Sequence, residues 1–299
     1  MSNLQHRKTR PEQRFPIHTW IGLLIMVSAE LLLLSGQRFV ITWFTPIMWT
    51  GYILAADGWL FRRTRASWLT RHRKEFLFLI LASVGIWVLF EVYNFHLQNW
   101  YYQSVPTRPA IRLVSYFWSF ATIIPGVFLT SQIVEDIISR SEKTPGGQIV
   151  PGTRAFWFLM GLAMVTVPLV VPVNIARYLF ASVWIGFILF MDPINESIGA
   201  PSLSSMLEAG KWSKITALLL GGFLCGLLWE AWNFQAFVND GGHWIYTVPE
   251  ALRILGLHYG QMPALGMLGF PPFALELYIM YHFFRQMIEG PRLIGPVYW

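Results

Sequence analysis

The chain has 299 residues, of which 55% are hydrophobic and only 13% charged, with a mean hydropathy of +0.46 and a formal net charge of +6. That balance excludes a soluble globule and points to a polytopic membrane protein. The basic excess does not call for nucleic acid, because most Lys and Arg fall in loops between apolar runs, and the single cysteine, Cys225, excludes an intrachain disulfide.

Residues 1–16 are basic and residues 17–36 apolar. That run is longer than the core of a secretory signal and lacks a small-residue cleavage site, so it reads as a retained first span. A bilayer core takes about 20 apolar residues per helix. On that measure the spans are residues 17–36, 39–61, 75–97, 113–134, 155–172, 175–191, 213–235 and 271–288. Pro168, Pro172 and Asn174 interrupt the fifth and sixth, which form either a tight helical hairpin or one broken segment. The expected fold is therefore all-α, with about eight transmembrane helices. Residues 17–134 and 154–288 form two four-helix units. Residues 135–153, with Pro145-Gly146-Gly147, link them, and residues 289–299 form a tail.

Of the 22 Lys and Arg, only Arg38, Arg108, Arg112, Arg177 and Arg253 fall in outer loops if the N-terminus is cytoplasmic, which leaves seventeen inside. The positive-inside rule then places both termini in the cytoplasm of a multi-pass protein of the cell inner membrane. The dense cluster from Arg62 to Lys74 is a topology signal and a contact for anionic membrane lipids.

The two units repeat one another. Glu91 and Asn94 end one long apolar helix, and Glu230 and Asn233 end another. Each pair is followed by a Trp-x-Tyr string, Trp100-Tyr101-Tyr102 and Trp244-Ile245-Tyr246. Each is preceded by Trp-x-Gly and an Asp, namely Trp49, Gly51 and Asp57 against Trp184, Gly186 and Asp192. Four spans per unit predict parallel repeats of the same orientation.

Carboxylates inside a bilayer are costly and mark candidate sites. Spacing i, i+3 puts Glu and Asn on one helix face. Gly222 and Gly226 give the second copy a face for close helix approach. Glu276 follows the Pro271-Pro272 helix start, and Glu30 lies near the outer end of the first span. His243 sits in the longest outer loop. The candidate catalytic groups are thus Glu91, Glu230, Glu276 and His243. The candidate substrate contacts are Glu30, Asn94, Asn233, Trp100, Trp244 and Tyr246, with at least three of the four glutamates expected to share one outer pocket. The competing reading of the glutamates and asparagines is structural: carboxyls bonded to Asn or indole groups that lock the bundle. Asp57 and Asp192 read as helix ends facing loop amides or arginines, with Asp192-Pro193 a helix stop. Residues 100–112 and 244–256 read as amphipathic segments on the membrane surface. No spacing matches a metal or cofactor site, and none is expected.

Trp229-Glu230-x-Trp232-Asn233, Trp244-x-Tyr246 and the run from Met262 through Gly269-Phe270-Pro271-Pro272-Phe273 to Glu276 resemble a group of uncharacterised bacterial inner-membrane proteins, mainly from Asp192 onward. A more remote resemblance is to the tandem lycopene cyclase domains, which carry a tighter Pro-x-Glu-Glu/Asp motif than Pro272 and Glu276 here. That resemblance implies acid chemistry on an apolar isoprenoid inside a helical bundle. The leading expectation is an integral-membrane enzyme that protonates a lipid-soluble substrate. The alternatives are a transporter or binding protein for a small molecule, lipid or ion, and a structural subunit.

Overall fold

The computed structural model describes residues 14–138, 153–295 and 297–299. Nearly all of the basic segment 1–16 and most of the 135–153 linker lie outside the described residues. The chain runs through helices α1 (Ile17–Leu34), α2 (Arg38–Thr42), α3 (Phe44–Thr64), α4 (Trp68–Arg71) and α5 (Arg73–Leu97), then strand β1 (Trp100–Gln103) and helices α6 (Pro109–Ala121) and α7 (Ile123–Ile138). After the linker come α8 (Thr153–Val170), α9 (Val173–Ala176), α10 (Phe180–Ser197), α11 (Leu203–Glu208) and α12 (Trp212–Val238), then strand β2 (His243–Tyr246). Short strands β3 (His258–Tyr259) and β4 (Met262–Pro263) precede α13 (Ala264–Met267), α14 (Phe270–Met287) and α15 (Gly290–Leu293).

Among the described residues, six helices are long and apolar enough to cross a membrane: α1, α5, the run Pro109–Ile138, α8, α12 and the run Ala264–Met287. The outermost, α1 and α8, leave large apolar side chains such as Leu24, Leu31, Leu159 and Val170 exposed. Apolar surface on that scale fits contact with lipid.

Two helical hairpins flank the bundle. α1 packs along α3, and α8 along α10. Each hairpin closes on a glycine pair. A Cβ on Gly22 would lie 2.4 Å from the Gly51 carbonyl oxygen, and one on Gly161 would lie 2.7 Å from that of Gly186. Pro168 stays inside α8, so residues 153–197 form the hairpin rather than one broken segment.

Between the hairpins, α5, α7, α12 and α14 form the core. Gly222 of α12 sits against α14, where a Cβ would meet the Phe270 carbonyl at 2.4 Å. Ser83 fills the corresponding role on α5. Its hydroxyl donates to the Phe120 carbonyl (2.5 Å) and accepts from the Ile124 amide (3.0 Å), serving backbone groups freed where α6 breaks into α7.

At one end of the bundle, Asp57 and Asp192 do not end their helices. α3 and α10 run on past both, and Pro193 lies inside α10. Each carboxylate instead holds the start of the next short helix. Asp57 accepts from the Ser67 hydroxyl (2.7 Å) and the Leu69 amide (3.1 Å). Asp192 accepts from the Leu203 amide (2.5 Å) and from both the amide and the hydroxyl of Ser204. The same end buries a Glu75–Arg285 ion pair (3.1 Å), joined by the Tyr281 hydroxyl and the Tyr298 amide.

The opposite end departs from an all-helical architecture. β1 and β2 pair antiparallel, with Trp100 opposite Tyr246 and Tyr102 opposite Trp244. The two aromatic strings therefore make a two-stranded ribbon rather than separate surface segments. Each string alone has no partner for its backbone groups; together they satisfy them.

Candidate functional site

The ribbon covers a cavity of about 440 Å³ between the helices, within the range of ligand pockets, roughly 300–1,000 Å³. Its wall carries six tryptophans: Trp49, Trp87, Trp100, Trp184, Trp229 and Trp244. Phe90, Phe120, Phe180, Phe270 and Phe273 extend the aromatic lining, and Tyr102, Tyr116, Tyr178 and Tyr246 add four phenols. Tyr178, Ile185, Leu265 and Leu268 line the cavity and are also exposed on the outer surface. The cavity thus reaches the apolar flank of the molecule.

Two glutamates stand behind this wall. Glu91 Oε1 accepts from Tyr102 hydroxyl (2.5 Å), Trp87 Nε1 (2.8 Å) and Trp100 Nε1 (3.1 Å), all three from lining residues. Glu230 Oε1 accepts from the Tyr246 hydroxyl (2.7 Å), which in turn accepts from Trp244 Nε1 (2.7 Å). Burial and the neighbouring carboxylate push both phenols well above the ordinary tyrosine value, so each keeps its proton and acts as donor.

Asn94 and Asn233 fix the ribbon to the helices. Asn94 Nδ2 donates to the Trp100 carbonyl (2.9 Å), and its Oδ1 accepts from the amides of Asn99 and Trp100. Asn233 exchanges the same two bonds with the backbone of Trp244, at 3.0 and 2.9 Å. These asparagines therefore aim the strings.

None of the four glutamates lines this cavity. Glu30 accepts from Gln235 Nε2 at 3.2 Å, on the flank of α1. Glu276 is fully buried with neither carboxylate oxygen partnered. Phe273, one turn earlier, packs on Trp87, Phe90 and Trp184. Nor do Glu91, Glu230, Glu276 and His243 converge as a metal-ligand group among the described residues. His243 does line the cavity, as do Trp100, Trp244 and Tyr246.

Sequence reasoning passed over Trp87, Trp229, Asn99 and Arg177 on the cavity wall. Trp87 stands four residues before Glu91, a spacing that brings the two side chains together on a helix. Asn99 and His243 hold matching places, each immediately before a Trp-x-Tyr string. Both signals lie in the sequence. Comparison of the chain with protein-family models, curated proteins and solved structures finds no match.

Proposed function

We propose that this is a multi-pass inner-membrane enzyme that draws a lipid-soluble molecule, of isoprenoid type, into the aromatic cavity and carries out acid chemistry on it. The observation that carries this reading is the pair of phenols on the wall, each bonded to a glutamate, Glu91 half-buried and Glu230 fully buried. With Glu91 or Glu230 protonated, Tyr102 or Tyr246 would give its hydroxyl proton to an alkene, epoxide or hydroxyl of the substrate and take the glutamate's proton in its place, leaving the phenol neutral and the glutamate as carboxylate. The tryptophan faces stabilise the cation so formed. Loss of a proton back to the same relay gives an isomer of an alkene or epoxide; a protonated hydroxyl leaves as water, and the cation left behind returns a proton to the relay to give an alkene. Access from the lipid phase is by the flank at Ile185 and Leu268.

The topology that accompanies this reading has eight spans, α3 and α10 completing the six apolar helices, in two parallel repeats with both termini cytoplasmic. The recurring pairs Gly22–Gly51 with Gly161–Gly186, and Asp57 with Asp192, support the repeat. The positive-inside balance supports the orientation.

A second reading, binding or carriage without chemistry, is favoured by the absence, among the described residues, of any carboxylate from the cavity wall itself. Mass spectrometry of lipid extracts separates the two. The enzyme reading expects a lipid that accumulates only in cells making the protein. Carriage expects a lipid that copurifies with the protein while cellular lipids stay unchanged. Neither a product nor a copurifying lipid would contradict both.

A further inference from the structure

The cavity wall is not uniformly apolar. Asn99 and His243 are both buried on it, 6% and 3% exposed, and each is tied at one end only. Asn99 Nδ2 donates to the Arg177 carbonyl (2.8 Å), and Asn99 Oδ1 has no partner. His243 Nδ1 lies 2.7 Å from the Gly241 carbonyl, and His243 Nε2 has no partner. A carbonyl only accepts, so Nδ1 carries the hydrogen in that contact. In the neutral ring Nε2 is then an acceptor. Each of these two lining residues thus carries an unused acceptor beside the same cavity.

Their placement is not accidental to one loop. The two residues precede the two Trp-x-Tyr strings, so they stand at opposite ends of the ribbon. His243 pairs with Gln103 in the β1–β2 register, and the Asn99 carbonyl accepts from the Thr247 amide. Four strand residues separate these ends, a distance of about 13 Å. Among the described residues, the other fully buried side-chain atoms without a partner on residues of the wall are Trp49 Nε1, a donor, and Thr45 Oγ1, a hydroxyl. Arg177, the charged side chain on the wall, donates to the Thr247 carbonyl (3.1 Å).

We infer that the cavity takes a lipid-soluble alcohol, whose hydroxyl hydrogen is accepted by His243 Nε2 or Asn99 Oδ1 while its apolar body lies against the tryptophans. This rests on the ligand-cavity reading above and names the polar group of the ligand. A buried acceptor left unpaired is costly, and a ligand donor removes that cost. A hydrocarbon cannot do so, and a carboxylate or phosphate dianion has no hydrogen to give. A hydroxyl both donates and accepts, which suits a wall offering two acceptors, an indole N–H and a threonine hydroxyl.

The test compares farnesol with farnesyl methyl ether, which share the apolar chain and differ in the O–H. Binding to the purified full-length protein in detergent is read from tryptophan fluorescence. Wild type is expected to bind the alcohol about fivefold to tenfold more tightly than the ether, the effect of one hydrogen bond of about 1 kcal/mol or slightly more. In His243→Phe and in Asn99→Leu, whichever site holds the hydroxyl, one of the two variants is expected to bring that ratio close to one. Equal binding of alcohol and ether by wild type overturns the inference while leaving the cavity reading intact, and this result needs no variant to fold. A preference that persists in both variants also overturns it. Binding of neither probe counts against the cavity reading as well.

Discussion

Trp100 faces Tyr246 across the ribbon and Tyr102 faces Trp244, so each aromatic string meets the other in reverse order. Like strings paired antiparallel have a local two-fold axis between Tyr101 and Ile245. That arrangement places one glutamate-bonded phenol from each half of the chain over the same cavity.

The phenol–carboxyl bonds are expected to matter for the site more than for the fold. Tyr102→Phe and Tyr246→Phe remove only a hydroxyl each. A hydrogen bond to a charged group is worth about 1.5–3 kcal/mol. Each variant should accumulate in the membrane and lose about tenfold or more of its lipid product, measured by mass spectrometry. Undiminished product in both would remove the phenols from the chemistry.

The same two phenols set a pH expectation. Their folded-state values are raised, so the fold favours the protonated form. Their contribution to stability is fully present below the unfolded value of about 10 and is lost only as pH rises above it. Ultraviolet titration near pH 10 should therefore show the same tyrosinate signal in folded wild type and in the folded Tyr102→Phe, Tyr246→Phe double variant, whereas in the unfolded chains the double replacement removes about one tyrosinate, half of each phenol.

Asp57→Asn and Asp192→Asn should each lower thermal stability in detergent. Each carboxylate accepts from the start of the following short helix. An amide in its place keeps one acceptor and presents a donor to the other, at a cost of about 1–3 kcal/mol. An unchanged Tm in both would show that these bonds are dispensable.

Glu75→Gln should be more severe, because it leaves Arg285 buried at 2% exposure without its partner. Breaking such a pair costs about 3–5 kcal/mol, whereas replacing both members is often neutral. The double variant Glu75→Gln, Arg285→Met should therefore regain most of the Tm lost in the single one. A double variant no better than the single would contradict this account of the pair.

Much of this arrangement is legible in the sequence. Apolar run length places all of the long helices, because span length is set by the bilayer rather than by packing. The Glu-x-x-Asn pairs and Trp-x-Tyr strings mark the residues at the covered end. The ribbon is not legible, since each strand has four residues and its partner lies over a hundred residues away. Nor is the absence of Glu230 and Glu276 from the cavity wall, which the rings of Phe273, Trp87 and Trp184 form instead. Asp192-Pro193 reads as a helix stop because proline lacks an amide donor, yet α10 continues through it and the Asp192 carboxylate serves the next helix instead.

The most direct test is the lipid profile of cells making the Glu91→Gln, Glu230→Gln protein. Glutamine keeps the size of each side chain and an acceptor for the phenol but cannot supply a proton. The account predicts wild-type amounts of protein in the membrane and loss of the lipid that appears with wild type. Full accumulation of that lipid by the double variant would contradict acid chemistry at these residues.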